Sequence, residues 1–252
     1  MSRSFQRLRQ GPSRGDWLPV SDSTPALLRA EQLFCERDDR VLFQNLSFSL
    51  LQGQILQIEG PNGSGKTTLI RILCGLSQDF EGGLFWCGKP LAEAVIAFRQ
   101  SSVYFGHNTG VKMALTAQEN LTWMAQVKGA TGSLPALAND IDEALARVGL
   151  RGFEDVPLYT LSAGQKRRVA LAGLLLRPMP LWILDEPFTA IDKAGVQALE
   201  SLIVAHAMQG GSVVLTTHHE LSIQPDKLQK LTLGVKFPST ASESSPEAAG
   251  AR

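Results

Sequence analysis

The chain has 252 residues, 44% hydrophobic and 19% charged, the balance of a soluble globular protein long enough to bury a full core. Lys+Arg and Asp+Glu each number 24, so the net charge is zero. That argues against nucleic acid as a partner, because a phosphate backbone calls for a basic face. No apolar run approaches the roughly 20 residues that span a bilayer, so the chain does not span one.

Residues 1–25 are rich in Arg, Ser, Pro and Gly and read as a flexible leader, either an organelle transit peptide or a plain N-terminal extension or misplaced start. "ILQIEG" (55–60) then reads as a short apolar strand and "GKTTLIRILCGL" (65–76) as an amphipathic helix. "SSVYFG" (101–106) is a strand and "TAQENLTWMAQV" (116–127) a helix. "LWILDE" (181–186) is a buried strand, "DKAGVQALESLIVAHAM" (192–208) a helix and "SVVLTT" (212–217) a second buried strand. Nearly continuous apolar strands separated by helices indicate a parallel sheet covered on both faces. Residues 237–252 have the composition of a disordered tail. Cys35, Cys74 and Cys87 show no CxxC spacing and fit a reducing compartment, and the four histidines have no metal-site spacing.

"GPNGSGKT" (60–67) fits G-x-x-x-x-G-K-[ST] between a strand and a helix, the context that motif requires. Gly60, Pro61, Asn62, Gly63, Ser64 and Gly65 curl the backbone so that successive N–H groups face phosphates. Lys66 supplies a point charge, Thr67 offers a hydroxyl to Mg²⁺, and Thr68 follows in the same turn. The strand "LWILDE" carries Asp185 and Glu186 to the carboxyl edge of the sheet, where open α/β sheets bind ligands. Asp185 is suited to holding Mg²⁺ through water, and Glu186 to orienting or deprotonating an attacking water. A third element, "LSAGQ" (161–165), is a small-residue turn opening a helix and so a second anion-facing loop.

In this order, and followed by "TAID" (189–192) and "TTH" (216–218), these motifs resemble the ATP-binding subunits of ABC transporters. The resemblance covers about residues 27–235. It implies an α/β P-loop fold at 26–236, with a mostly parallel core sheet, an antiparallel β subdomain and a small helical subdomain at about 108–176. It further implies a head-to-tail pair of copies with ATP and Mg²⁺ between them. Lys66, Thr67 and Asp185 would act in cis, with Glu186 as the base and His218 on the γ-phosphate. Leu161, Ser162, Ala163, Gly164 and Gln165 would meet the partner copy's ATP, and Asp192 would link the two sites.

Three positions depart from the family pattern. Ala163 stands where Gly is usual, which matters only if the backbone there is left-handed. His107 falls where a glutamine usually joins the lobes and meets Mg²⁺. The aromatic expected to stack on adenine is absent; Arg37 falls near its place, with Phe34 and Phe43 as alternatives. Residues about 107–125 are the expected docking surface for a membrane partner, unless Trp123 and Met124 only fill the core of the small lobe.

Within the family, "CERDDRVLF" (35–43), "WILDEPFTAID" (182–192) and "LTTHHEL" (215–221) resemble the haem-exporter ATPases of cytochrome c maturation. That implies integral membrane subunits of a haem-export complex as partners and a peripheral location on the cytoplasmic face of the inner membrane. The alternatives are an exporter of another substrate or a non-transport ABC ATPase. A single domain without heptads argues against ribosomal and DNA-repair members, and no guanine-reading NKxD element is present.

Overall fold

A computed structural model of the chain describes residues 26–127, 134–176, 179–221, 223 and 227–234. The expected N-terminal extension at 1–25 and tail at 237–252 lie outside the described residues. Nine strands and six α-helices follow in chain order among the described residues, with a short 3-10 turn at Leu158–Thr160: β1 (Leu28–Arg37), β2 (Arg40–Leu50), β3 (Ile55–Glu59), α1 (Lys66–Leu73), β4 (Glu81–Trp86), β5 (Lys89–Pro90), α2 (Leu91–Ser101) and β6 (Ser102–Phe105). Then come α3 (Ala117–Val127), α4 (Leu134–Arg147), α5 (Ala163–Ala172), β7 (Leu181–Asp185), α6 (Lys193–Met208), β8 (Ser212–Thr216) and β9 (Leu228–Thr232).

The central sheet is five-stranded, in the order β6-β7-β8-β3-β9, and all its neighbouring pairs are parallel. Every residue of β7 and β8 is buried, as strands covered on both faces require. Side chains alternate between two cores. Leu56, Ile58, Leu181, Ile183 and Val214 pack towards α1, α2 and the second sheet. Ile55, Trp182, Leu184, Val213 and Leu215 pack towards α3, α4, α5 and α6. At roughly 1.5–3 kcal/mol for each large apolar side chain fully buried, these two layers hold the molecule together.

The second sheet is antiparallel and four-stranded, in the order β2-β1-β4-β5. β1 and β2 meet in a two-residue turn, Asp38 and Asp39, both left-handed (φ 53 and 57), the backbone that suits a tight hairpin. Helices α3, α4 and α5 pack on one another beside the parallel sheet. The register fixes the site: Asp185 stands opposite Thr216, and Thr216 opposite Ile58. The loop after β3 therefore opens beside the carboxyl ends of β7 and β8. Among the described residues, no helix is long and apolar enough to cross a membrane.

Candidate functional site

The loop 60–65 turns on three glycines whose backbones are left-handed or close to it: Gly60 (φ 147), Gly63 (φ 76) and Gly65 (φ 94). Side chains are excluded here by space as well. A β-carbon on Gly60 would lie 2.7 Å from both Leu233 O and Ser64 Oγ, and one on Gly65 would lie 3.1 Å from Leu42 Cβ. Gly65 caps α1 with no side-chain hydrogen bond, so the first N–H groups of the helix keep their capacity for an anion. Ser64 Oγ is buried without a partner, a polar atom that a bound oxygen would satisfy. Lys66 is buried and its ammonium donates to Gly60 O (2.7 Å) and Pro61 O (3.2 Å).

Asp185 is buried at the end of β7. Its Oδ1 accepts from Thr216 Oγ1 at 2.7 Å and, at 3.5 Å, from Thr67 Oγ1. Thr216 Oγ1 in turn accepts from the Glu186 N–H (2.8 Å). One buried threonine thus orients both acidic residues, a role the sequence reading missed although Thr216 lies in its "TTH" element. Glu186 is left-handed (φ 49), a conformation that costs a non-glycine residue about 1–3 kcal/mol and persists only where its surroundings hold it. Its Oε1 lies 3.6 Å from His218 Nε2, outside direct hydrogen-bond distance, and both side chains are partly exposed. His219 points elsewhere, to Glu200 Oε1 at 3.2 Å. Burial, then the Asp185 charge, pushes the Cys74 thiol up to about 12, so it stays protonated and inert.

The structure brings Lys66, Thr67, Asp185, Glu186 and His218 to one sheet edge and leaves the 161–165 turn apart. Among the described residues, no hydrogen bond or ion pair joins that turn to the 60–67 loop. Ser162 caps α5, with Oγ accepting from Gln165 N (3.2 Å) while Gln165 Oε1 accepts from Ser162 N (2.8 Å). Ala163 is the first residue of α5 and is not left-handed, so its β-carbon is unstrained. Asp192 caps α6 by accepting from Gly195 N (2.9 Å). At the hairpin end of the antiparallel sheet, Arg37 stands opposite Arg40. Arg40 is the one that reaches the loop, its Nη1 3.9 Å from where a Gly63 β-carbon would lie. Phe43 is buried and Phe34 half-buried.

His107 and its neighbour Asn108 are exposed beyond β6. The two residues weighed for docking divide. Met124 packs against the core, whereas Trp123 is 39% exposed under the Lys112 ammonium. Among the described residues, no group of three or more His, Cys, Asp or Glu could hold a metal. A cation here would depend on Asp185, Thr67 and the oxygens of a bound phosphate.

A glycine-lined anion loop and an acidic strand end on one edge of a parallel sheet, flanked by an antiparallel sheet and a helical lobe, define an ABC-type P-loop ATPase. The chain belongs to the ABC transporter family, whose pattern matches residues 43–189. It is 55% identical over 207 residues to the cytochrome c biogenesis ATP-binding export protein CcmA of Pseudomonas putida, covering 82% of this chain and 96% of that one. It is 50% identical over 208 residues to the protein of the same name from Vibrio cholerae, covering 82% and 99%. Among solved structures it is similar to cbiO1 from Clostridium perfringens, described as part of the ABC transporter complex cbiONQ. There the TM-score is 0.65 with 25% identity, over 77% of this chain and 79% of that one.

Proposed function

We propose that the chain is the ATP-binding and ATP-hydrolysing subunit of an export complex in c-type cytochrome biogenesis, coupling hydrolysis to haem export or to release of a haem-loaded chaperone. The observation that supports the chemistry is the chain of contacts at one sheet edge, in which Thr216 holds Asp185 and the Glu186 N–H, Thr67 reaches Asp185, and His218 faces Glu186. The names of the relatives at 50–55% identity support the pathway.

In this reading the N–H groups of residues 60–68 cradle the phosphates of ATP. Lys66 leaves the carbonyls of Gly60 and Pro61 for the β- and γ-phosphates, and the Arg37–Arg40 hairpin end lies against the nucleotide. Glu186 takes the proton of the attacking water and His218 contacts the γ-phosphate. The residues fit Mg²⁺, because Thr67 and Asp185 offer the oxygen donors a hard cation takes, already 3.5 Å apart. Bound there, Mg²⁺ would neutralise charge between the β- and γ-phosphates. In the same reading His107, exposed beyond β6, turns a ring nitrogen towards this cation. A second copy, facing head to tail, presents Leu161, Ser162, Ala163, Gly164 and Gln165 to this ATP, and Asp192 links the two sites. Such a twofold pair is self-complementary and closes on itself. Integral membrane subunits dock on residues 107–125, where Met113 and Trp123 are exposed. The chain is then held peripherally at the cytoplasmic face of the inner membrane.

The test is haem staining of c-type cytochromes in cells whose only copy carries Glu186→Gln. Removing a positioned base typically costs ~10²–10⁴ in rate, so stained bands should vanish while the protein is still made. Unchanged bands would reject the cytochrome assignment and leave an ABC ATPase serving another membrane partner.

A further inference from the structure

Helix α5 carries more than its opening turn. Gly164, Arg167 and Arg168 follow one another at i, i+3 and i+4 and so share a face of the helix. That face lies along the segment after β7. A β-carbon on Gly164 would sit 2.7 Å from Ala190 O, so the helix approaches that backbone as closely as glycine allows. The side-chain methylene Cδ of Arg168 lies 3.4 Å from where a Gly195 β-carbon would be. Between these contacts Arg167 is buried, 7% exposed. Its Nε donates to Pro187 O at 3.1 Å, its Nη2 donates to Glu186 O, and its guanidinium lies 4.9 Å from the centre of the Phe105 ring.

A buried cation is costly unless charge and hydrogen bonds compensate it. Burial lowers the tendency of Arg167 to hold its proton, and the Asp185 and Glu186 carboxylates oppose that. Most of the compensation thus comes from residues 185–187, which hold the acidic pair. The same segment needs outside support, because Glu186 is left-handed and a strained turn relaxes when its contacts go. The planar guanidinium fork grips two successive carbonyls, which a lysine could not do with fixed geometry.

We propose that Arg167 is a positioning residue for Glu186, tying the backbone of the water-activating glutamate to the helix whose first turn meets the partner copy's ATP. Arg167 lies five residues from Ser162 on that helix, about 7.5 Å along its axis. Seating of the 161–165 turn on the partner's nucleotide therefore bears directly on the glutamate of the chain's own site. The inference rests on the proposed roles of Glu186 and of the 161–165 turn.

The test is steady-state and single-turnover ATP hydrolysis by the full complex with Arg167→Met and Arg167→Lys, each alone and combined with Glu186→Gln. Misplacing a reacting group by about 1 Å costs on the order of 10² in rate. Arg167→Met should therefore lose about that in kcat, with KM for ATP changed by less than about threefold. Arg167→Lys, which keeps the charge but not the fork, should lose about tenfold. In the Glu186→Gln background, Arg167→Met should add less than about twofold, since both act through one group. Unchanged kcat, a loss carried mainly by KM, or losses that multiply in the double variant would each overturn the proposal. If Arg167→Met does not fold, the lysine variant decides by the same readings. Full turnover by Glu186→Gln alone would instead remove the role of Glu186, a failure visible whatever Arg167 does.

Discussion

Helices α1 and α5 each open in a glycine-containing turn, yet the two turns are finished in opposite ways. α1 starts from left-handed Gly65 with no side-chain cap, whereas α5 starts from Ser162 inside a reciprocal capping box. The first leaves its N–H groups available and keeps a buried, unpartnered serine oxygen beside them. The second pairs the N–H groups of Ser162 and Gln165 within its own capping box. An open turn is organised to hold an anion within one chain. A closed turn contributes only when a second body brings the anion to it, because Ser162 Oγ still has its own hydrogen to donate. The contrast gives physical content to the proposal of a site divided between two copies.

The largest expected effect lies on the open side. Gly65→Ala would force a β-carbon onto a φ of 94 and to within 3.1 Å of Leu42 Cβ. A strained non-glycine backbone costs about 1–3 kcal/mol, and the loop can relieve it only by giving up its curl. ATP affinity of the purified chain, measured by calorimetry, should fall by about 10–100-fold. Retained affinity would mean that the left-handed cap is not what holds the phosphates.

A smaller effect is expected on the closed side. Ser162→Ala removes a capping hydroxyl worth about 0.5–2 kcal/mol, which denaturant unfolding should register. ATP affinity of the isolated chain should stay within about twofold of the wild type, while turnover in the assembled complex falls. Equal loss of affinity in the two variants would abolish the distinction between the turns.

The parallel sheet was legible because strands buried on both faces are written as unbroken apolar runs, as in "LWILD" and "SVVLT". The antiparallel sheet was less so. β1 buries Leu28 and Ala30, then Leu33 and Cys35, and the two-residue period skips a step at Gln32, which is left-handed (φ 48). Gly82 is squeezed against that kink, where a β-carbon would lie 2.6 Å from Gln32 O. The bulge erases the alternation that reveals a half-buried strand. In the site, the residues of the 60–67 loop and the acidic pair could be read because their motifs are local. Arg167 could not, since "KRR" reads as a solvated basic face until the segment after β7 is laid across it. The sequence alone could not show that the two-residue hairpin sets Arg40 opposite Arg37 and brings Arg40 towards Gly63.

The smallest effect at neutral pH, and the control for both turns, lies away from them on α6. The His206 ring stacks on Trp182, with centroids 3.9 Å apart and planes within 8°, in a cavity also lined by Arg147 and Gln209. Burial pulls the histidine down to about 4, partly opposed by a backbone hydrogen bond involving Ser212. The folded chain therefore binds this proton less readily than the unfolded chain, whose histidine titrates near 6.5. Its stabilising contribution is complete above about pH 6.5 and is lost as pH falls towards about 4, by up to roughly 3 kcal/mol. His206→Phe keeps a stacked ring and removes the titration, so unfolding free energy should lose much of its slope across that window. At pH 7.5 both stability and ATP affinity should differ little from the wild type. If acid weakens the variant as much as the wild type, the slope belongs to other groups, and acid effects on ATP binding would have to be sought again at the two turns.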